Sequence, residues 1–441
     1  MGPRNGPQTP NARQRPGEAG ARLDNSRGNV PASMDFRITD AQRELQQRAR
    51  SLAQDFATRA AQHDREASDP VENYATLRDA GFYGLNVPAE FGGAGVGLLG
   101  WSLAAEELGR GCGSTALSFN MHLSVVGPVI ESPLVPLATK ERLAKLVVQD
   151  AKLIGGNFSE PTTSGLVGTP VPLTRARRVS GGYRITGRKA FASMIAAADY
   201  VMVMAYPDEA TAPTAGMLLL VPPDAPGRRV ENVWDTLGMR ATRSDSMVLE
   251  DCFVPEDAML FRADDIVPFR RDGANWFWGS YTPVYLGVGV AAYHAIVEVV
   301  KGRTPPGFSQ PLAYHPDVRR HVGEMSTDLE AARLLTLHSA WLSDTEGPTP
   351  ATLAALYRAK YFVGEAVTRV TRTAMTLGGA HALFKTSPLE RYFRDGAVAP
   401  VQFPPRDFCL TNLGMLELGL DPRDVLPPMK TDRPDAGPTV R

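Results

Sequence analysis

Cysteine is scarce: Cys112, Cys252 and Cys409 are the only three in 441 residues, far apart and without paired Cys/His spacing. That excludes a disulfide framework and a cysteine-ligated structural metal, and it points to a reducing compartment, the cytoplasm. Excess charge is also missing, since 47 Lys and Arg stand against 48 Asp and Glu for a net charge of -1. A chain so balanced carries no electrostatic footprint for nucleic acid, which is not expected as a partner. No window reads as apolar and long enough to span a membrane. Residues 1–34 are rich in Gly, Pro, Asn and Arg and have no apolar run, which excludes a Sec-type signal and predicts a disordered leader.

What is present is a change of pattern at three places. From Thr39 the apolar residues Leu45, Ala49, Leu52, Phe56 and Ala60 recur at helical spacing, with Asp40 near the start, predicting an amphipathic helix. A short helix around Tyr74 follows, and then the glycines Gly92, Gly93, Gly95 and Gly97 mark a bend before three further helices up to residue 149, with breaks at Ser114 and Thr115 and at 133–139. Neither a preceding strand nor a GK[ST] accompanies these glycines, so a phosphate loop is not expected. His122, among apolar residues, reads as a buried histidine with one hydrogen bond.

Between 151 and 262 runs such as YVMVMAY and GMLLLVPP alternate with turn residues, predicting a compact antiparallel β-domain. Helical periodicity returns after Pro268, with helices expected around 275–301, 315–343, 349–378 and 404–419 as an up-and-down bundle. The expected division is therefore a leader (1–38), a helical domain (39–150), a β-domain (151–262), a helical bundle (263–420) and a polar, Pro-rich tail (421–441).

The stretch from Gly155 to Met194 places two irregular segments, around FSEP and around KAFAS, at strand ends on either side of a hairpin. Backbone groups of Phe158, Ser159, Phe191 and Ser193 left unpaired there would suit the edge of a polar planar ring.

Six motifs in one order, LNVPAEFGGAGVGLLGWSLAAEELGR, FSEP, ITGRKAFAS, WDTLGMRATRSDSMVLEDCFVPED, LGG and RYFRD, resemble the acyl-CoA dehydrogenase superfamily over about residues 38–420. The resemblance implies an α+β fold: an N-terminal helical domain, a middle antiparallel β-domain and a C-terminal four-helix bundle, holding FAD between them. It implies that Phe158 and Ser159 meet the flavin's pyrimidine end, that Phe191 covers one ring face and that the Ser193 hydroxyl reaches N5. It also implies that Arg303 with Gly378 and Gly379 holds the pyrophosphate across a subunit boundary of a homotetramer. Met375 stands where the family often has Gln. Ser164 is the candidate CoA contact, because Gly165 replaces the family's serine.

The departure from the family lies at the base. A dehydrogenase takes a proton from the α-carbon while the β-hydride leaves, so a carboxylate belongs beside the flavin. The family's Glu lies nine residues after an Arg, and counting from Arg394 reaches Phe403. An alternative family position falls near Ser280. With both lacking an acid, no catalytic residue is assigned, and Asp407 is the nearest downstream candidate, although it also reads as a helix-start acid.

The resulting expectation is an FAD-dependent oxidoreductase acting on the CH–CH group of an acyl thioester or another small hydrophobic substrate, served by an electron acceptor or a flavin reductase. Phe403 would then border the substrate. The alternatives are a reduced-flavin monooxygenase on the same fold and a non-catalytic subunit completing a partner's FAD site.

Overall fold

The apolar repeat after Thr39 folds as one long helix, α1 (Asp40–Glu66), which buries Leu45, Ala49, Ala53, Phe56 and Ala60 along one stripe. In the computed structural model, which describes residues 1–2, 37–161 and 172–420, α1 packs on α3 (Leu98–Gly111) after the short α2 (Val71–Asp79). The expected leader and tail (residues 3–36 and 421–441) and Ser164 lie outside the described residues.

Contact with α1 is close because Gly111 has no side chain: a Cβ there would fall 2.2 Å from the Ala53 carbonyl oxygen. The break before α4 (Gly113–Glu131) falls at Cys112, slightly earlier than expected. Cys112 is extended there, and its sulfur accepts the Thr115 N–H at 3.5 Å. α5 (Leu137–Ala144) then ends in a single π turn. The glycine bend before α3 turns its N–H groups onto its own backbone, Gly93 to Pro88, Ala94 to Gly84 and Gly95 to Val87. The start of α3 is capped from a distance, since the Asp344 carboxylate accepts the Leu98 and Leu99 N–H groups at 2.7 and 2.9 Å.

Eight strands follow among the described residues: β1 (Ile154–Asn157), β2 (Arg175–Val179), β3 (Gly182–Ala192), β4 (Tyr200–Pro207), β5 (Gly216–Val221), β6 (Arg228–Glu231), β7 (Asp245–Pro255) and β8 (Met259–Ala263). Their order is β6-β7-β3-β2-β4-β5-β8, with β1 beside β4. Five pairings are antiparallel and two, β1 with β4 and β2 with β4, are parallel. The sheet is therefore mixed. β4 pairs with β1 at its start and with β2 at its end, so both strands flanking the FSEP segment hang from one strand.

After α6 (Val267–Asp272) and a π turn at Asn275–Gly279 come α7 (Thr282–Gly302), α8 (Pro316–Glu346), α9 (Pro350–Gly378), α10 (Pro388–Gly396) and α11 (Arg406–Leu418). α7 packs against α3, α8, α9 and α10 and is the centre of the bundle. This corrects one expectation from sequence. Asn275–Gly302 holds an 18-residue window of mean hydropathy 1.5, apolar and long enough to cross a bilayer by composition, but 67% of that window is buried, as befits a central bundle helix. α6 and α10 come in addition to the four helices expected, and α10 joins the bundle. Its Arg394 is buried between Glu390 of the same helix and Asp64 of α1.

Candidate active site

Glu160 draws the first loop onto the sheet. Its carboxylate accepts from Lys189 Nζ at 2.8 Å, Leu173 N at 2.7 Å, and Thr174 N and Oγ1 at 2.9 and 2.7 Å. Lys189, on β3, also donates to the Met204 carbonyl at 2.6 Å. Burial opposes ionisation of Glu160, yet the Lys189 ammonium and the surrounding donors hold its carboxyl below the usual range. Burial lowers Lys189, with Glu160 opposing. One residue on, the Ala190 N–H donates to the Ser159 carbonyl at 3.0 Å. The two sequence-predicted loops are thus brought together. The pair that joins them was visible as an acid in FSEP and a lysine in GRKAF, but not its pairing.

β3 ends in an unusual conformation. Phe191 has φ +60, a left-handed value that a side chain with a Cβ adopts at some strain, and the residue is 62% exposed. Trp234 supports it edge-on, with centroids 6.1 Å apart. Trp234 is itself placed by Asp245, whose carboxylate accepts the Val233 and Trp234 N–H groups at 2.8 and 2.9 Å. Two residues past Phe191, the Ser193 hydroxyl lies 2.8 Å from Ser244 Oγ, which lies 2.8 Å from Thr242 Oγ1. Thr242 Oγ1 lies 2.9 Å from the Met239 carbonyl oxygen, and the Trp234 indole N–H reaches the same oxygen at 3.1 Å. Phe191 and Ser193 are therefore held by one ring of contacts closed at Met239. The Met239 N–H in turn donates to Asp395 at 2.6 Å, tying the ring to α10. Burial pushes the Asp395 carboxyl up to about 6 against that bond and the nearby arginines.

An aromatic floor adjoins these loops. The Phe158 ring meets Phe277 edge-on at 5.6 Å, and the next residue, Trp278, meets Phe403 at 5.9 Å. Phe403 also packs on Phe408 at 4.9 Å. From α7 and the turn before it, Tyr281 donates to the Phe403 carbonyl and Tyr285 to Gln402 Oε1. Lys360 donates to the Ala399 carbonyl at 2.7 Å, and burial lowers its ammonium to about 8. Tyr281 follows Ser280 and touches Phe403, so the two candidate base positions converge in space. Ser280 is buried, with its hydroxyl on the Trp276 carbonyl at 2.5 Å. Asp407 is exposed in the first turn of α11, beside Arg406 at 2.9 Å.

The other predicted contacts sit apart. Arg303 is the exposed C-cap of α7, while Gly378 and Gly379 close α9; Gly379 has φ +64 with open space where a Cβ would stand. A cavity of about 700 Å³ lined by Asp328, Arg369, Arg372 and Thr376 opens near that end of α9, away from Phe191. Among the described residues no hydrogen bond or ring contact joins Arg303 or Gly379 to Phe191 or Ser193. His122 is structural: its Nε2 meets the Tyr83 carbonyl and its Nδ1 accepts the Ile154 N–H, each at 2.9 Å, so it has two bonds where one was expected. Burial lowers its pKa to about 4.

The acyl-CoA dehydrogenase N-terminal, middle and C-terminal domain models match residues 39–141, 157–252 and 282–401. The Bacillus subtilis (strain 168) protein described as "Putative acyl-CoA dehydrogenase YdbM" is 33% identical over 84% of this chain and 96% of its own. The mitochondrial short-chain specific acyl-CoA dehydrogenase of Bos taurus is 29% identical over 81% of this chain and 86% of its own. Among solved structures, KijD3 in complex with FMN and a dTDP-linked amino keto sugar superposes with a TM-score of 0.76 at 25% identity, covering 87% of this chain and 95% of that one. With three consecutive domain models matched and a relative that spans most of it, the chain belongs to the acyl-CoA dehydrogenase family.

Proposed function

We propose that this chain is an FAD-dependent oxidoreductase that dehydrogenates an acyl thioester across its Cα–Cβ bond. The observation that carries this reading is Phe191, presented on a left-handed backbone by Trp234, with a hydroxyl two residues on. An exposed ring so held suits one face of a planar heteroaromatic group, and a hydroxyl suits its edge. When bound, FAD supplies an N5 atom that accepts a hydride. Phe191 would cover one face, Ser193 would hydrogen-bond N5, and Phe158 and Ser159 would border the pyrimidine edge. Arg303, Gly378 and Gly379 would bind the pyrophosphate of a neighbouring subunit in a homotetramer, a reading consistent with their lying apart from Phe191 within one chain. A guanidinium gives a charge-assisted bond, and the open face of Gly379 lets phosphate approach its backbone. Phe403 and Trp278 line the thioester's place. The bovine relative's name makes a short-chain acyl-CoA the first substrate to try, with an electron acceptor as partner. Three buried, free cysteines support a reducing compartment, the cytoplasm.

A specific observation favours a second reading. The two candidate base positions converge on Tyr281 and Phe403, and neither supplies a carboxylate. A monooxygenase fed with reduced flavin needs no α-proton abstractor, and the 25% identical KijD3 structure contains FMN.

The test is the flavin released by denaturing pure protein, followed by anaerobic titration with short saturated acyl-CoAs. FAD together with bleaching by an acyl-CoA supports the dehydrogenase. FMN alone, with NADH consumption only when a reductase and oxygen are added, overturns it for the monooxygenase.

A further inference from the structure

We propose that Ser193, Ser244 and Thr242 form a hydrogen-bond relay that reverses direction with the redox state of the flavin. This rests on the reading above that Ser193 meets N5; the relay itself comes from counting hydrogens in the structure. All three side chains are buried, and successive oxygens lie 2.8 Å apart, ending 2.9 Å from the Met239 carbonyl. Three hydroxyls carry three hydrogens, so the row runs in one of two directions.

Pointing inward, Ser193 donates to Ser244, Ser244 to Thr242 and Thr242 to Met239, which leaves the Ser193 oxygen as a pure acceptor toward the ligand. Pointing outward, Thr242 donates to Ser244, Ser244 to Ser193, and Ser193 offers its hydrogen to the ligand. Both directions are open because Met239 does not depend on Thr242 Oγ1: its carbonyl also takes the Trp234 indole N–H and the Thr242 backbone N–H, each at 3.1 Å. Reversal is a rotation of three hydroxyls. No covalent bond breaks and no proton leaves the row.

Oxidised N5 is an acceptor and matches the outward row. A hydride from the thioester, or from a chemical reductant, brings two electrons and the hydrogen that makes N5 a donor, and this matches the inward row. A lone serine accepting from N5–H would be left with a buried hydrogen and no acceptor, which is unfavourable. Ser244 and Thr242 remove that penalty from the reduced state only. They are positioning residues that favour reduction, and Thr242 acts without touching the flavin.

The experiment is the two-electron midpoint potential of the FAD-loaded full chain, measured by slow enzymatic reduction against reference dyes. Ser244→Ala and Thr242→Val should each shift the reduced-to-oxidised ratio at fixed potential about tenfold toward oxidised, a fall of about 30 mV. Ser244→Thr should restore the wild-type value. If both variants keep the wild-type potential while Ser193→Ala moves the absorption bands of the oxidised flavin, the relay is wrong and the N5 contact stands. If Ser193→Ala leaves those bands in place, the N5 contact itself is wrong. Should Ser244→Ala bind no flavin, Thr242→Val decides the question alone.

Discussion

Replacing Lys189 with methionine tests what joins the two loops of the site. The side chains of Lys189 and Glu160 are 0% and 1% exposed, so solvent does not screen their attraction. Methionine keeps much of the lysine volume but removes the ammonium from beside the buried Glu160 carboxylate and the donor from the Met204 carbonyl. The Glu160 bonds from Leu173 and Thr174 survive, so the loss is the attraction of the Lys189 ammonium together with its bond to Met204. Breaking a buried pair in this way costs about 3–5 kcal/mol. Glu160→Gln combined with Lys189→Met removes both charges, at the cost of an amide NH2 that faces the Leu173 N–H, and should still cost less than the two single changes together, giving a coupling energy of about 3 kcal/mol. Urea unfolding of the four proteins at pH 7 measures this, and flavin release reports whether the loops separate. Without lysine, burial raises the Glu160 carboxyl with the Leu173 and Thr174 donors opposing. The Lys189→Met deficit should therefore shrink as pH falls and that carboxyl protonates. If Lys189→Met unfolds within about 0.5 kcal/mol of wild type at pH 7, with no pH-dependent difference, the pair does not hold the loops.

Asp395, raised by burial from 3.8 to about 6, binds more protons folded than unfolded between those values. Its contribution of about 3 kcal/mol is present below the lower value and lost as pH rises through the upper. Asp395→Asn, which retains an acceptor for the Met239 N–H, should flatten that part of the Tm-versus-pH curve; an unchanged slope would assign it elsewhere. Phe403→Glu should speed anaerobic flavin reduction by a short-chain acyl-CoA by about 10²-fold or more, the ordinary worth of a general base. No gain in stopped-flow absorbance would mean that position 403 does not face the α-carbon. Arg303→Ala removes an exposed side chain with no described partner and should weaken FAD binding about 10–100-fold, as for a lost charge-assisted bond. Calorimetric titration checks this, with an unchanged Kd placing the pyrophosphate elsewhere.

The parts legible in the amino-acid sequence are those whose cause is local. The apolar stripe of α1, the short apolar runs of β4 and β5 and the long periods of α7, α8 and α9 follow from side chains a few positions apart. The order of the motifs, and the lack of an acid at Phe403 and near Ser280, are likewise plain in one dimension. Other features needed residues far apart to meet. The parallel pairing of β1 with β4 joins Ile154 to Tyr200, a register that no local pattern encodes. α10 is anchored by Arg394 on Asp64, 330 positions away. The apolar run Asn275–Gly302 has the composition of a membrane helix, and only its packing makes it the centre of a bundle. The ring at Met239 likewise gathers Phe191, Ser193, Trp234, Thr242 and Ser244. Tyr281 reaches Phe403 across 122 positions. Hydrogen bonds and ion pairs are specified by distance and direction in space, so a chain read in order displays their donors and acceptors, and only the fold decides which of them meet.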